Sequence, residues 1–315
     1  MSVLSHGIPR TTRRAEGLTM DLKRILRPIE ADLQHVKDRL LKYLQDPVAR
    51  NAVYLITAGG KQLRPALVLL AGHSGAYDKR REALLDLAVA AELIHTATLI
   101  HDDIIDNASL RRRQPTFHQR FGTERAVLMG DYLYAVAFSV LAGLREPAIT
   151  TAMAGVCQRL SVGEFLEVDS RFDVGLTDTQ YLAIIRDKTA SLIAACCRLG
   201  ASVAGATPET VDRLERFGLH FGMAFQIMDD CLDLIGEEQL VGKTLGQCAR
   251  HRPDQRPLLE PHVRDQPPRH GGGELVERGV VARFRHGEEA LLRDVSDRRE
   301  HRAGGIRIDQ SRRLQ

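Results

Sequence analysis

Residues Leu93–Arg113 read LIHTATLIHDDIIDNASLRRR, and how this stretch folds decides how the rest of the chain is read. Apolar Leu93, Ile94, Ala97, Leu99 and Ile100 run without a break into Asp102, Asp103 and Asp106, and Arg111, Arg112 and Arg113 follow. The spacing predicts a helix. On it Asp102 and Asp106 stand one turn apart at i,i+4 and project from one face, close enough for their carboxylates to share divalent cations. Oxygen-only ligands of this kind suit Mg²⁺, which keeps several waters and is held by one or two carboxylates together with substrate phosphates. The nearby arginines would take the remaining phosphate charge through forked hydrogen bonds. An acidic run at a helix end is more often solvated surface, but these aspartates end a long apolar run.

The same pattern recurs in FGMAFQIMDDCLDLIG, residues 221–236, where Asp229, Asp230 and Asp233 repeat the DDxxD spacing after Phe221, Met223, Ala224, Phe225, Ile227 and Met228. Two helices that each offer a DDxxD make a two-sided carboxylate cage, with room between them for a cluster of Mg²⁺ ions and one diphosphate.

Composition bounds the alternatives. A chain of 315 residues with 43% hydrophobic content can fill a sizeable core. The net charge of +3 is a small difference between 44 basic and 41 acidic residues, which gives no case for nucleic acid as a partner. The five cysteines, Cys157, Cys196, Cys197, Cys231 and Cys248, show no CxxC spacing and read as reduced thiols of a cytoplasmic protein without a zinc site. No stretch reaches the roughly 18 consecutive apolar residues of a transmembrane segment, and the N-terminus lacks an apolar signal core.

From Asp21 onward the pattern is helical: Leu22, Ile25, Leu26, Ile29, Leu33, Val36, Leu40, Leu41 and Leu44 recur at three and four residues, with Pro28 marking a kink or a helix start. Further helical runs are expected at about 48–58, 64–72, 80–106, 122–144, 147–168, 177–204 and 208–234. Gly59-Gly60, Gln114-Pro115, Pro147, Gly175 and Pro208 are among the breakers between them. Strand alternation is nearly absent, so the fold class is all-α, a helical bundle with a central active-site cavity. Residues 1–19 show no periodicity and read as a disordered tail. After Gln247 the text changes: residues 248–315 hold 15 Arg and no Lys, against 22 Arg in the first 247. Pro253, Pro257, Pro261, Pro267, Pro268 and Gly271–Gly273 break what periodicity remains. A reading-frame change near Cys248 accounts for the shift; a divergent but genuine tail is the alternative.

The motifs together resemble the trans-isoprenyl diphosphate synthases. The likeness runs through GGKQLRP at Gly59–Pro65, IHTATLIHDDIID at Ile94–Asp106, LRRRQPT at Leu110–Thr116, GDYLYA at Gly130–Ala135, DKTASL at Asp187–Leu192 and FQIMDDCLD at Phe225–Asp233, in the family's order. Gln62 stands where the family more often has Arg, and Arg113 where it commonly has Gly; the tail after Gln247 lacks the family's later segments.

The resemblance implies a catalytic domain over 20–247 and two anionic substrates, isopentenyl diphosphate and an allylic prenyl diphosphate, joined with Mg²⁺ as cofactor. It makes Asp102, Asp106, Asp229, Asp230 and Asp233 the metal ligands and leaves Asp103 a supporting role through hydrogen bonds. Catalysis falls to Asp102, Asp106, Lys188 and Asp229. Lys61, Arg64, His95 and Arg112 resemble the isopentenyl diphosphate site, and Arg111, Lys188, Thr189, Gln226 and Lys243 resemble contacts to the allylic diphosphate. A homodimer is implied. Small Ala97 and Thr98, five and four residues before Asp102, and Ala91 further back leave the chain-length floor open, which implies products of C20 or longer. A terpene cyclase would not need the Lys61, Arg64 and His95 site; a non-catalytic partner subunit or an inactive product of a shifted frame is the reading from another class.

Overall fold

The computed structural model describes residues 22–57, 62–173 and 175–235, with side chains through 232. Lys61, Lys243, the Gly59-Gly60 turn, Cys248, the two tails and the Asp233 side chain lie outside the described residues. The expected helices form, and the chain runs α1 (Leu22–Leu26), α2 (Glu30–Tyr43), α3 (Val53–Thr57), α4 (Leu63–Gly72), α5 (Tyr77–Ile105), α6 (Phe117–Phe121), α7 (Thr123–Gly143), α8 (Pro147–Asp169), α9 (Asp178–Ile185), α10 (Ser191–Val203) and α11 (Pro208–Ile235). Pro28 sits in a 3₁₀ turn, Arg27–Ile29, where its missing N–H costs no α-helical hydrogen bond. Pro147 opens α8 at its first position, and Thr177 with Gln180 closes a capping box at the start of α9.

α5 is the axis of the bundle. Leu84, Leu85, Leu87, Ala88, Val89, Ala90, Ala91, Leu93, Ile94, Ala97 and Ile100 are buried on it, which covers almost its whole circumference. It packs on α7, α4, α2 and α10, while α10 carries α11 and α8. Ion pairs fix α2 on α5: Arg39 reaches Glu82 and Asp86, and Arg81 reaches Asp32, whose other oxygen accepts from the Tyr77 hydroxyl at 2.5 Å. α5 and α7 are also long and apolar enough, by length and composition, to cross a membrane, although 67% of the most apolar window of α5 and 39% of that of α7 are buried inside the protein. Cys157, Cys196 and Cys197 carry no disulfide.

One element departs from the helical expectation. Gln114-Pro115, expected as a bare breaker, forms β2 of a two-stranded hairpin with Leu110-Arg111 as β1. Arg112 and Arg113 make the turn, both at positive φ (50° and 63°), the geometry that usually selects Asn-Gly. The hairpin folds the arginines back beside the acidic end of α5.

Small residues set the helix spacing. A β-carbon on Gly200 of α10 would stand 2.4 Å from the Val68 carbonyl oxygen of α4, so the two backbones touch there. Gly200→Ala should therefore cost about 1–3 kcal/mol in urea unfolding as an overpacked contact. Gly143→Ala, where a methyl group meets nothing within 4 Å, is the control and should leave the midpoint unchanged.

Candidate active site

Both acidic clusters lie at the C-terminal ends of long helices. Asp102 and Asp103 occupy the last turn of α5 and Asp106 caps it, its N–H donating to the Asp102 carbonyl at 2.8 Å; Asp229 and Asp230 lie in the last two turns of α11. Carboxylates at that end oppose the helix dipole, so each needs cationic or hydrogen-bonding company.

The first cluster has three cations around it, each delivered by a different element. Arg111 of β1 donates from Nε and Nη2 to Asp103 Oδ1, both at 2.8 Å, and Asp103 is only 2% exposed. Asp103 is thus held by hydrogen bonds from Arg111. Arg171, from the loop after α8, pairs with Asp106 and donates to the Ile105 carbonyl at 3.4 Å. Lys188 pairs with Glu167 and with Glu164 at 2.8 Å, and both glutamates lie on α8.

Lys188 owes its place to an irregular turn. Residues Arg186–Ala190 form a π turn between α9 and α10, the kind of bulge that recurs at functional sites. α8 comes up against it because residue 163 is glycine: a β-carbon there would lie 2.4 Å from the Lys188 backbone nitrogen. Burial opposes the Lys188 charge, but Glu167, Asp102 and Glu164 together hold its pKa above the ordinary lysine value.

The second cluster is bound into a side-chain chain. Thr189 donates to Gln226 Oε1 at 2.7 Å, Gln226 Nε2 to Asp230 Oδ1 at 2.8 Å, and the Tyr181 hydroxyl to Asp230 Oδ2 at 2.7 Å. Burial pushes the Asp230 carboxyl up to about 6 against these hydrogen bonds, with Glu167 and Asp229 adding to the rise. Asp102 is pushed up to about 7, by burial first, then with Glu164 and Asp106 repelling and Lys188 and Arg111 opposing. Glu164 also has a buried Oε1 with no hydrogen-bond partner.

A second basic group forms where α4, α5 and the hairpin meet. Arg64, at the start of α4, lies beside Glu92 of α5 and Arg112, and its buried Nε lacks a partner. His95 and Glu92 line a small pocket of about 30 Å³ with Arg111, Arg112, Tyr54 and Gln114. Burial, then Arg64, Arg111 and Arg112, depress the His95 pKa well below its usual value, so the ring is neutral. Gln62, just before α4, takes the left-handed conformation (φ 44°).

Of the residues singled out in the sequence, Asp102, Asp103, Asp106, Arg111 and Lys188 come together at the first cluster, Thr189, Gln226 and Asp230 at the second, and Arg64, His95 and Arg112 at the basic pocket. Ala97 and Ala91 are fully buried in the core and Thr98 is half-buried, its hydroxyl donating to the His95 carbonyl at 2.7 Å. Glu92, Glu164, Glu167, Arg171 and Tyr181 were not singled out. Glu92-x-x-His95 and Glu164-x-x-Glu167 each place an acid on a helix face at i,i+3 within an apolar run, a signal that could have been read. His118 is a satisfied core histidine, near the Thr116 hydroxyl at 3.2 Å. A separate cleft of about 570 Å³ between α8, α10 and α11 is bordered by Arg159, Arg198 and Arg216 and by none of the DDxxD aspartates, so it is not this site.

The model for polyprenyl synthetases matches residues 45–251. The chain belongs to the polyprenyl synthetase family. The chain is 41% identical over 230 residues to heptaprenyl diphosphate synthase component 2 of Geobacillus stearothermophilus, covering 72% of this chain and 71% of that one. It is 32% identical to octaprenyl diphosphate synthase of Escherichia coli, with 76% and 75% covered. Among solved structures, the polyprenyl synthase of Caulobacter crescentus complexed with calcium and isoprenyl diphosphate superposes with a TM-score of 0.68 at 36% identity, covering 72% of this chain and 69% of that one.

The raised Asp102 carboxyl makes the stability of the metal-free protein depend on pH. A folded-state pKa of about 7 for Asp102, against 3.8 unfolded, means the folded state binds the extra proton between those values, so this group's contribution to stability is lost as pH rises through about 7. Relative to the parent, Asp102→Asn should gain melting temperature as pH is raised from 4 to 8 in chelator, and a difference that does not grow with pH would contradict the assignment.

Proposed function

We propose that this chain is a chain-elongating prenyltransferase that condenses isopentenyl diphosphate with an allylic prenyl diphosphate, using Mg²⁺, to give a polyprenyl diphosphate of C20 or longer. The observation that carries this reading is the pair of aspartate clusters at the C-terminal ends of α5 and α11, with Lys188 and the α8 glutamates beside them and a separate arginine-histidine pocket behind. One anion site served by carboxylates and a second served by arginines suit two diphosphates bound in different ways. Membership of the polyprenyl synthetase family supports the same reaction class.

The donor set fits a hard divalent cation. It is all oxygen, it includes the unpartnered Glu164 Oε1, and burial, with Glu164 and Asp106 nearby, makes Asp102 resist ionisation. Asp102, Asp106, Asp229, Asp230 and, outside the described residues, Asp233 would hold the cation, and bound Mg²⁺ supplies neutralisation of charge on the departing diphosphate.

The chain's own residues do the rest. Lys188, Thr189, Gln226, Arg111 and Lys243 hold the allylic diphosphate so that its C–O bond breaks with the electron pair on the leaving oxygen. Lys61, Arg64, neutral His95 and Arg112 hold isopentenyl diphosphate, whose double bond closes on the allylic carbon. The proton then lost goes to the released diphosphate, so no protein base is assigned. Residues 20–247 form the catalytic region, and 248–315 are read in a shifted frame, which sequencing of the gene tests directly. We place the protein in the cytoplasm and read it as a homodimer, the second of these supported by exposed apolar side chains on α7 and α8, Leu128 and Phe165 among them.

Asp102→Ala and Asp229→Ala should each abolish turnover of farnesyl diphosphate with radiolabelled isopentenyl diphosphate while leaving the helical circular dichroism intact; near-parental turnover in either would refute the cage. Ala97→Phe should shorten the products towards C15 when they are resolved by chromatography. An unshifted product length in a well-folded variant would show that Ala97 serves helix packing alone.

A further inference from the structure

Arg171 has no counterpart in the roles assigned above. It lies two residues beyond α8, in the loop that leads to α9, and this loop bends back on itself: Phe172 has φ 66°, and the Gly175 N–H donates to Asp173 Oδ1 at 2.7 Å. The bend carries the guanidinium across to the end of α5. There Nη2 pairs with Asp106 Oδ1 and Nη1 donates to the Ile105 carbonyl oxygen at 3.4 Å. The guanidinium therefore holds an oxygen that the proposed function gives to a divalent cation, and it also faces a carbonyl at the negative end of the helix dipole. Both Arg171 and Asp106 side chains remain about a third exposed, at 32% and 29%, so the pair can separate without opening the core.

We propose that Arg171 is a further diphosphate-binding residue, parked on Asp106 while the site is empty and turned onto the phosphate oxygens once a cation takes the carboxylate. The inference rests on the prenyltransferase reading. The chemistry follows from charge. A divalent cation and a guanidinium compete for Asp106 Oδ1; the cation wins when a diphosphate arrives with it, because that anion then offers the displaced guanidinium a new set of paired acceptors. Arg111 needs no such switch to reach a phosphate, since its two bonds go to the buried Asp103, a carboxylate assigned to no cation. Lys188 remains among Glu164, Glu167 and Asp102. Arg171 is the cation at this site that rests on a loop and on a partly exposed partner.

The two halves of the proposal move binding in opposite directions, which a merely structural role would not do. With Mg²⁺ alone, titrated calorimetrically into chelator-treated full-length protein, Arg171→Ala should bind the ion roughly two- to fivefold more tightly, as removal of an exposed ion pair permits. With inorganic diphosphate at saturating Mg²⁺, the same variant should bind about tenfold more weakly, the loss of a charge-assisted hydrogen bond. Arg171→Lys should keep the competition for Asp106 and recover only part of the diphosphate affinity, because an ammonium cannot make the forked contact. Unchanged or weaker Mg²⁺ binding, or unchanged diphosphate binding, in a variant whose parent binds both would overturn the role of Arg171 and leave the proposed function standing. A parent that binds neither would overturn both.

Discussion

The structure depends on one electrostatic difficulty: carboxylates buried at the wrong end of two long helices. A helix C-terminus already carries partial negative charge from its free carbonyls. Stacking Asp102, Asp103 and Asp106 there, with Glu164 close by, would destabilise the bundle unless positive charge came from elsewhere in the chain. The elements that look irregular are the ones that bring it. The β1–β2 hairpin delivers Arg111, the bent loop after α8 delivers Arg171, and the π turn delivers Lys188. Burial still outweighs this company at Asp102, whose carboxyl resists ionisation although Lys188 and Arg111 lie near it.

In the proposed function this arrangement separates two kinds of anion recognition within one bundle. On the α5–α11 side the protein offers oxygens, which in the proposed function leave part of the neutralisation to an ion from solution. On the α4–hairpin side it offers guanidinium groups and a neutral imidazole that is a donor and acceptor without adding charge. Glu92 stands against Arg64 and Arg112 there and keeps those groups from repelling one another. Arginine–carboxylate company is kept in both places, so each site has a counter-charge in the absence of substrate.

Much of this was legible in the sequence because it derives from periodicity. The long helices show apolar positions at three and four residues, and their boundaries fall at the glycines and prolines that break them. The DDxxD clusters stood out because acids at the end of an apolar run are chemically out of place. The features that stayed hidden did so for physical reasons too. Glu164 and Glu167 look like the solvated stripe of a helix until Lys188 arrives from another element to meet them. A hairpin turning on Arg112-Arg113 carries none of the Asn or Gly that announces such a turn. Tyr181 and Arg171 act through contacts made far from their place in the chain, and no local pattern marks a side chain for a distant partner. The π turn changes only a hydrogen-bond ladder, which composition does not encode.

That turn has a geometric consequence for both acidic clusters. A regular helix presents neighbouring residues about 100° apart around its axis, so a single helical segment serves one wall well and the adjacent wall poorly. Widening one turn shifts the phase of α10 relative to α9. Through that shift Lys188 faces the glutamates of α8 while Thr189, the very next residue, meets Gln226 of α11. The segment from α9 to α10 thereby acts as a splice between two surfaces, tying the glutamate wall and the second aspartate cluster to a common strut. Any change in the number of residues between Arg186 and Ala190 would rotate one surface against the other, with every side chain still present and none of them in register.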